Sequence, residues 1–257
     1  MNELTVIDFF CGAGGFSEGF RQQGYNIING YDNWKPAVDS FNHNYGTSSE
    51  VTNILDFKES VKKINELPNT DVIIGSPPCV SFSSSNISGK ADKESGVLLT
   101  KIFLRIVAVK KFQPNSTLKA WYMENVANSR NYLADYYTFK DLGLGDWAKK
   151  HRLSPNKKAI LLKDNQPLIN SADYGSYQAR KRAISGEIIR LKKLIIPKQT
   201  NSKKSDDNLP KWKTLGQLLK KMPSPTEQKP GKRIVDPIYN EIKLTVSKLS
   251  DHFYDSG

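Results

Sequence analysis

Two cysteines, Cys11 and Cys79, and three histidines, His43, His151 and His252, are all that 257 residues hold of the types that build disulfide frameworks and zinc sites. That scarcity argues against a cross-linked scaffold and a spaced metal centre, so no metal is expected. Long apolar runs are missing too. The richest stretch, Val97 to Phe112, is broken by Lys101, Arg105, Lys110 and Lys111, well short of the roughly 20 uninterrupted apolar residues of a membrane span. The first residues enter a strand pattern at once and carry no secretory signal. The expected location is a reducing cytoplasm, with no membrane partner. Acidic residues are outnumbered, 26 Asp/Glu against 38 Lys/Arg, giving a net charge of +12 and a pI near 9.5. From Glu187 to Gly257 there are 15 Lys/Arg and 8 Asp/Glu, so seven of the twelve excess charges sit in the final 71 residues. A basic chain favours a polyanionic partner, because lysines beside phosphates release condensed counterions. The stretch QTNSKKSDDN (199–208) reads as a solvated linker.

What is present is alternation. Leu4 to Phe10, Asn26 to Tyr31, Asp71 to Gly75 and Ala120 to Glu124 are short apolar runs ending in glycine or polar residues. Helical patterns lie between them at Gly15 to Gln23, Pro36 to Phe41, Phe57 to Leu67 and Leu98 to Phe112. This predicts an α/β fold with a mostly parallel sheet and helices on both faces, whose ligands bind at the carboxyl ends of the strands. After about Ile196 the alternation gives way to lysine, proline and polar residues. Residues 1–195 are expected to form one domain and 196–257 the start of a smaller region.

Three strand ends carry chemistry. The first reads VIDFFCGAGGFSEGF (6–20), a strand, a glycine turn and a helix. It lacks the third glycine of G-x-G-x-x-G, and no Gly-Lys-Ser/Thr follows, so a pyrophosphate is not required. Asp32 closes the next strand about 20 residues on, where a carboxylate receives ribose hydroxyls, so a nucleoside cofactor fits. A ligand-free turn is the alternative. The second end, DVIIGSPPCVSFSSSN (71–86), stiffens the chain with two prolines before Cys79. Ser76 to Ser95 follows as a loop long enough to serve as a lid. A lone cysteine is most often a buried filler, but these neighbours argue for exposure. The third, WYMENVANS (121–129), delivers Glu124 and Asn125 to the same edge. A carboxyl beside a cysteine in a cleft is a candidate proton donor, although Asn125 to Ser129 could equally open a helix.

Four segments in this order, DFFCGAGGFSEGF, GSPPCVSFSSS, MENV and YGSYQARKRAI, resemble the ordered motifs of the cytosine-5 DNA methyltransferases over roughly residues 4–190. The resemblance implies a Rossmann-like methyltransferase sheet, S-adenosylmethionine as cofactor, duplex DNA as substrate and a place in restriction-modification. It makes Cys79 the nucleophile and leaves Cys11 in the cofactor turn. A thiolate is needed because C5 of cytosine is too poor a nucleophile until a group has added at C6. By the same resemblance Glu124 would serve N3 and Asn125 would accompany it. Arg182 would hold the base O2, and Arg180 would order the site around Glu124. Phe10, Ala13, Gly14 and Gly15 match the cofactor turn, Asp32 the ribose acid, and Glu50-Val51 the pair at the adenine. Pro78 and Leu98 or Leu99, with Leu99 preferred, would complete the pocket. Asn33 departs from the hydrophobic or aromatic residue common there, and Trp34 can compensate. Tyr177 replaces a proline common before the Gln-x-Arg-x-Arg glutamine.

The target base would be flipped from the duplex, with Ser76 to Ser95, including Lys90 and Lys93, closing over it. The chain ends at SKLSDHFYDSG with no later segment resembling the family's closing motifs. A truncated or split enzyme, completed by a second chain or a missing C-terminal segment, is therefore expected. Rival readings are an RNA cytosine-5 methyltransferase, a non-catalytic DNA-binding subunit of the same fold, and a nicotinamide dehydrogenase, the last weakened by Ser17 where a third glycine would stand.

Overall fold

The run TVIDF, Thr5–Phe9, forms β1, and its alternate side chains enter two different cores: Ile7 and Phe9 on one side of the sheet, Val6 on the other. The computed structural model describes residues 3–78, 93–204, 208–221, 226–228, 233–235 and 243–244. After β1 come α1 (Gly15–Arg21), β2 (Asn26–Tyr31), α2 (Lys35–Tyr45), α3 (Asp56–Glu59), α4 (Val61–Glu66), β3 (Val72–Gly75), α5 (Lys93–Phe112) and β4 (Ala120–Val126). The chain continues through β5 (Tyr136–Thr138), α6 (Gly145–Lys150), β6 (Lys158–Leu161), β7 (Leu168–Asn170) and β8 (Lys181–Ile188). Six strands form one sheet in the order β2-β1-β3-β4-β8-β7. The first four are parallel, while β8 runs antiparallel to both β4 and β7. Phe41 of α2 and Phe16 and Phe20 of α1 pack with Val6, Val72 and Ile74 on one face. Phe57, Ile64 and the apolar side of α5 pack with Ile7, Phe9 and Ile73 on the other. The fold is the α/β arrangement expected, with helices on both faces.

Beneath the strand ends the second core is a chain of rings. Phe9 stacks on Tyr31 at 4.6 Å and meets Phe103 edge-on at 6.1 Å, and Phe103 meets Trp121 at 6.3 Å. Fully burying a side chain of this kind contributes about 1.5–3 kcal/mol, so the rings under the site add to the stability of the sheet. The charges that interrupt α5 are absorbed rather than exposed. Arg105 donates to the carbonyls of Phe57, Leu142 and Gly143, and Lys110 to that of Leu67. Lys111 pairs with the buried Glu187 of β8 at 2.6 Å.

Boundaries differ from the sequence reading in three places. The helix expected at Phe57 to Leu67 is two, because Ser60 adopts an extended conformation and caps α4 by accepting from the Lys63 N–H. Helix α2 runs past Phe41 to Tyr45 and stops at Gly46, which has a left-handed φ of 65°. Helix α5 begins at Lys93, so the end of the stretch read as a 76–95 loop is helical; Cys79 and Lys90 lie outside the described residues.

The chain divides into two compact units. The first, Met1–Asn170 with Lys181–Lys198, contains the six-stranded sheet. The second joins Ser171–Arg180 to Gln199–Gly257. It holds α7 (Leu215–Leu219) and an antiparallel sheet of β9 (Thr226–Gln228), β10 (Arg233–Val235) and β11 (Lys243–Leu244). Trp212 Nε1 donates to Asp173 Oδ1 at 2.9 Å, which ties the 171–180 segment to the later one.

Candidate active site

Strands β1 and β3 are neighbours whose following connections leave toward opposite faces, and the crevice of an open α/β sheet forms at such a point. Their ends are fastened together where the Ser76 N–H donates to the Phe9 carbonyl at 3.1 Å. The glycine turn starts immediately after. Phe10 has a φ of 56°, a conformation uncommon outside glycine, and is held there by its N–H on the Tyr31 carbonyl at 2.8 Å. Gly14, at φ 96°, has a second reason to lack a side chain: a Cβ would lie 2.1 Å from the Tyr45 ring. The Tyr45 hydroxyl donates to the Gly14 carbonyl and the Asn44 amide to that of Ala13, so α2 clamps the turn from outside. A Cβ at Gly12 or Gly15 would meet nothing within 4 Å, which leaves bare backbone facing open space.

Asp32 stands beside this bare backbone. One carboxylate oxygen accepts from the Gly12 N–H and the other from the Trp34 N–H, both at 3.0 Å. Its backbone bridges Val51, and its carbonyl accepts from the Thr52 N–H, which brings Glu50-Val51 alongside. Asn33 and Trp34 are exposed, Leu99 is half-buried against the core, and Pro78 is exposed at the end of the described segment. A turn stripped of side chains, with a carboxylate at the end of the next strand, fits a nucleoside cofactor.

Under the turn lies a group the sequence reading passed over. Asp8 is fully buried; its Oδ2 accepts from the Ser17 hydroxyl at 2.7 Å and its Oδ1 has no hydrogen-bond partner. Burial pushes its pKa up to about 7, the Ser17 hydroxyl opposes that rise, and the Asp32 charge adds to it. An acid inside an otherwise apolar strand was the available signal. Cys11 is also buried, and burial together with Asp8 and Asp32 raises its thiol well above the ordinary range. A thiol held neutral in this way is a poor nucleophile.

On the far side of β3, β4 and β8 bring two expected residues together. Glu124 and Val126 face Ile184 and Arg182 in the antiparallel register, so Glu124 and Arg182 are diagonal neighbours on one sheet face, within reach of long side chains. Arg182 Nε lies 2.7 Å from Glu124 Oε1, both side chains about three-quarters buried, and its Nη1 donates to the Lys181 carbonyl. The resemblance gave this arginine to the base oxygen and Arg180 to Glu124. The Arg180 N–H donates to the Ser171 hydroxyl oxygen, and its carbonyl accepts from the Ser171 N–H. Asn125 points to the other face, is buried, and donates to the Pro77 carbonyl at 3.1 Å. The residues after it form a 3-10 turn, Ala127–Tyr132.

A family model described as C-5 cytosine-specific DNA methylase matches residues 4–141. The chain belongs to that family. Among its relatives it is 36% identical over 129 residues to type II methyltransferase M.HgiGI of Herpetosiphon aurantiacus, a match covering 49% of this chain and 94% of that one. It is 34% identical over 146 residues to M.HindV of Haemophilus influenzae, covering 55% and 45%. With M.DdeI of Desulfomicrobium norvegicum it shares 31% identity over 191 residues, covering 70% and 39%. The methylase chain thus spans less than half the length of the last two relatives. A solved E. coli prophage protein, described as a DNA modification methyltransferase, superposes with a TM-score of 0.51 at 21% identity. That match covers 88% of this chain and 59% of the other, and it supports the fold. No helix among the described residues is long and apolar enough to cross a membrane. No group of three or more His, Cys, Asp or Glu among them is placed to hold a metal ion.

Proposed function

We propose that this chain methylates C5 of cytosine in duplex DNA, as a restriction-modification enzyme using S-adenosylmethionine. The observation that carries the reading is the coupling of Glu124 to Arg182 at 2.7 Å on the strand whose next residue, Asn125, holds Pro77 two positions before Cys79. Residues 1–195 act as the catalytic domain and 196–257 begin target recognition. When bound, S-adenosylmethionine supplies an electrophilic methyl group. Phe10, Ala13, Gly14 and Gly15 hold it against bare backbone, Asp32 takes the ribose, Asn33, Glu50 and Val51 border the base, and Pro78 and Leu99 complete the wall.

The rest follows from this chain's own groups. The target cytosine is extruded from the stack. The Cys79 thiolate adds to C6, and the electron pair of the C5–C6 bond becomes nucleophilic at C5 while negative charge builds on N3 and O2. Glu124 donates a hydrogen bond or proton at N3, and Arg182 fixes the orientation of that carboxyl while placing a cation near O2. Arg180 acts in support by its place in the Gln178-x-Arg180-x-Arg182 segment. Asn125 is a positioning residue that sets Pro77 and so the approach of Cys79. Once C5 carries the methyl group, loss of its proton to solvent and expulsion of the Cys79 thiolate re-form the C5–C6 double bond and restore the enzyme. Residues of Glu124→Gln and Arg182→Met protein that stay folded should transfer tritiated methyl at least 100-fold more slowly to duplex DNA. Equal rates in both variants and the parent would refute the assignment, and label entering RNA instead of DNA would move the substrate.

A further inference from the structure

Away from the strand ends, residues 136–163 hold seven Lys/Arg and two Asp/Glu. Both acids are engaged. Asp141 accepts from the Thr138 N–H and hydroxyl, and Asp146 lies 3.5 Å from Lys149. Lys140, Lys157 and Lys158 form no ion pair among the described residues, in contrast to Lys62, Lys63 and Lys119, whose partners are Glu66, Asp56 and Asp71.

The unpaired cations sit at one end of a short ribbon. Strands β5 and β6 make a separate two-stranded ribbon in which Tyr136 pairs with Leu161 and Thr138 with Lys158. Tyr137 and Ile160 turn inward, and Tyr136 and Leu161 remain exposed. Lys158 Nζ sits 4.1 Å from the centre of the Tyr136 ring, and Lys157 Nζ 4.9 Å from that of Phe112. The Phe139 N–H on the Lys157 carbonyl and the Lys140 N–H on that of Pro155 bring Lys140 beside them. Phe112 is the last residue of α5, which returns from the site edge to the edge where β4 starts. The cationic ribbon is therefore remote from the glycine turn.

We propose that the exposed end of this ribbon, carrying Lys140, Lys157 and Lys158, is a second contact for the phosphate backbone of duplex DNA, one that holds the duplex without reading its sequence. The occupant follows from charge complementarity and rests on the methylase reading above. Lys157 and Lys158, already laid over aromatic rings, have lost side-chain freedom in advance, so a phosphate gains the ion contact at a smaller entropic cost. The exposed Tyr136 and Leu161 offer apolar surface to the sugar edge. Lys62, Lys63 and Lys119 have their charge already offset by a neighbouring acid, so the ribbon end is the stronger counterion-releasing surface of the two.

The test uses the full 257-residue chain, a 30-base-pair duplex without a methylatable site, and binding followed by anisotropy from about 50 to 200 mM salt. Lys140→Gln/Lys157→Gln/Lys158→Gln should bind about 10-fold or more weakly near 0.1 M, with a salt slope smaller by about 2 to 3, since each phosphate contact contributes about 0.9. The control Lys62→Gln/Lys63→Gln/Lys119→Gln removes the same charge and should change both quantities by less than half as much. Lys157→Arg/Lys158→Arg should bind like the parent. Equal losses in the two triple variants, or none in the first, would overturn the proposal while methyl transfer by the parent left the methylase reading intact. A parent chain that does not bind duplex DNA at about 50 mM salt would overturn the proposal.

Discussion

Replacing Asp8 by Asn removes a charge that the fold penalises, and the consequence is a change in how stability depends on pH. The carboxyl is fully buried with one oxygen unpartnered, and its pKa rises from 3.8 to about 7. Below about pH 4 it is protonated in both the folded and unfolded chain and contributes nothing. Between 4 and 7 the unfolded chain releases the proton and the folded chain keeps it, so the folded state binds more protons and stability falls as pH rises. Above about 7 the full penalty is present. A shift of about three units corresponds to about 4 kcal/mol in total, of which about 3 kcal/mol develops between pH 4.5 and 8. Asp71 and Asp141, whose pKa values are lowered, contribute the opposite slope at lower pH in parent and variant alike. The difference between the two curves therefore isolates Asp8. Urea unfolding of parent and Asp8→Asn at pH 4.5, 6, 7 and 8 should show the variant gaining on the parent by about 2–3 kcal/mol across that range. Parallel curves would refute the reasoning, whichever protein is the more stable at a single pH.

Other outcomes follow from named contacts. Asp32→Ala removes the acceptor for the Gly12 and Trp34 N–H groups together with the ribose contact, and calorimetry should show S-adenosylmethionine binding weakened by about 1.5–3 kcal/mol; unchanged affinity would mean the ribose is held elsewhere. Gly14→Ala combines a left-handed φ with a collision against Tyr45, and should lower stability by about 2–4 kcal/mol in thermal or urea melts. Adding Tyr45→Ala should return only part of that loss, because the backbone strain stays. Arg105→Met strands the carbonyls of Phe57, Leu142 and Gly143 and should cost about 3 kcal/mol or more in urea unfolding, and a cost under 1 kcal/mol would mean that water replaces the guanidinium.

The four parallel strands were legible because each is a short apolar run cut off by glycine or a polar residue, and Asp32 stood out as an acid at the end of one of them. Strand β8 was not. It opens with Lys181 and Arg182, contains Gly186 and buries Glu187, none of which reads as a sheet interior. Structure supplies the reasons: a Cβ at Gly186 would strike the Trp121 carbonyl at 2.4 Å, and Glu187 is neutralised by Lys111 from α5. The same holds for Arg105 and Lys110, which look like breaks in an apolar helix until the carbonyls that receive them are in place. At the site, the spacing of the glycines located the turn, while the clamp of Asn44 and Tyr45 on it depends on a contact 31 residues away and leaves no local pattern. The Glu124–Arg182 pairing likewise needs the antiparallel register of β4 and β8, which no stretch of either strand specifies alone.

The claim that most needs testing is that Cys79, and not Cys11, forms the bond to cytosine. Duplex DNA carrying 5-fluorocytosine at the target cannot lose the C5 substituent as a proton, so an enzyme that adds at C6 should stay covalently attached after methyl transfer. With enzyme that transfers methyl to the unmodified duplex, S-adenosylmethionine and the fluorinated duplex, a complex that survives denaturing electrophoresis is expected from the parent and from Cys11→Ala. None is expected from Cys79→Ser. An adduct that persists in Cys79→Ser and disappears in Cys11→Ala would contradict the account.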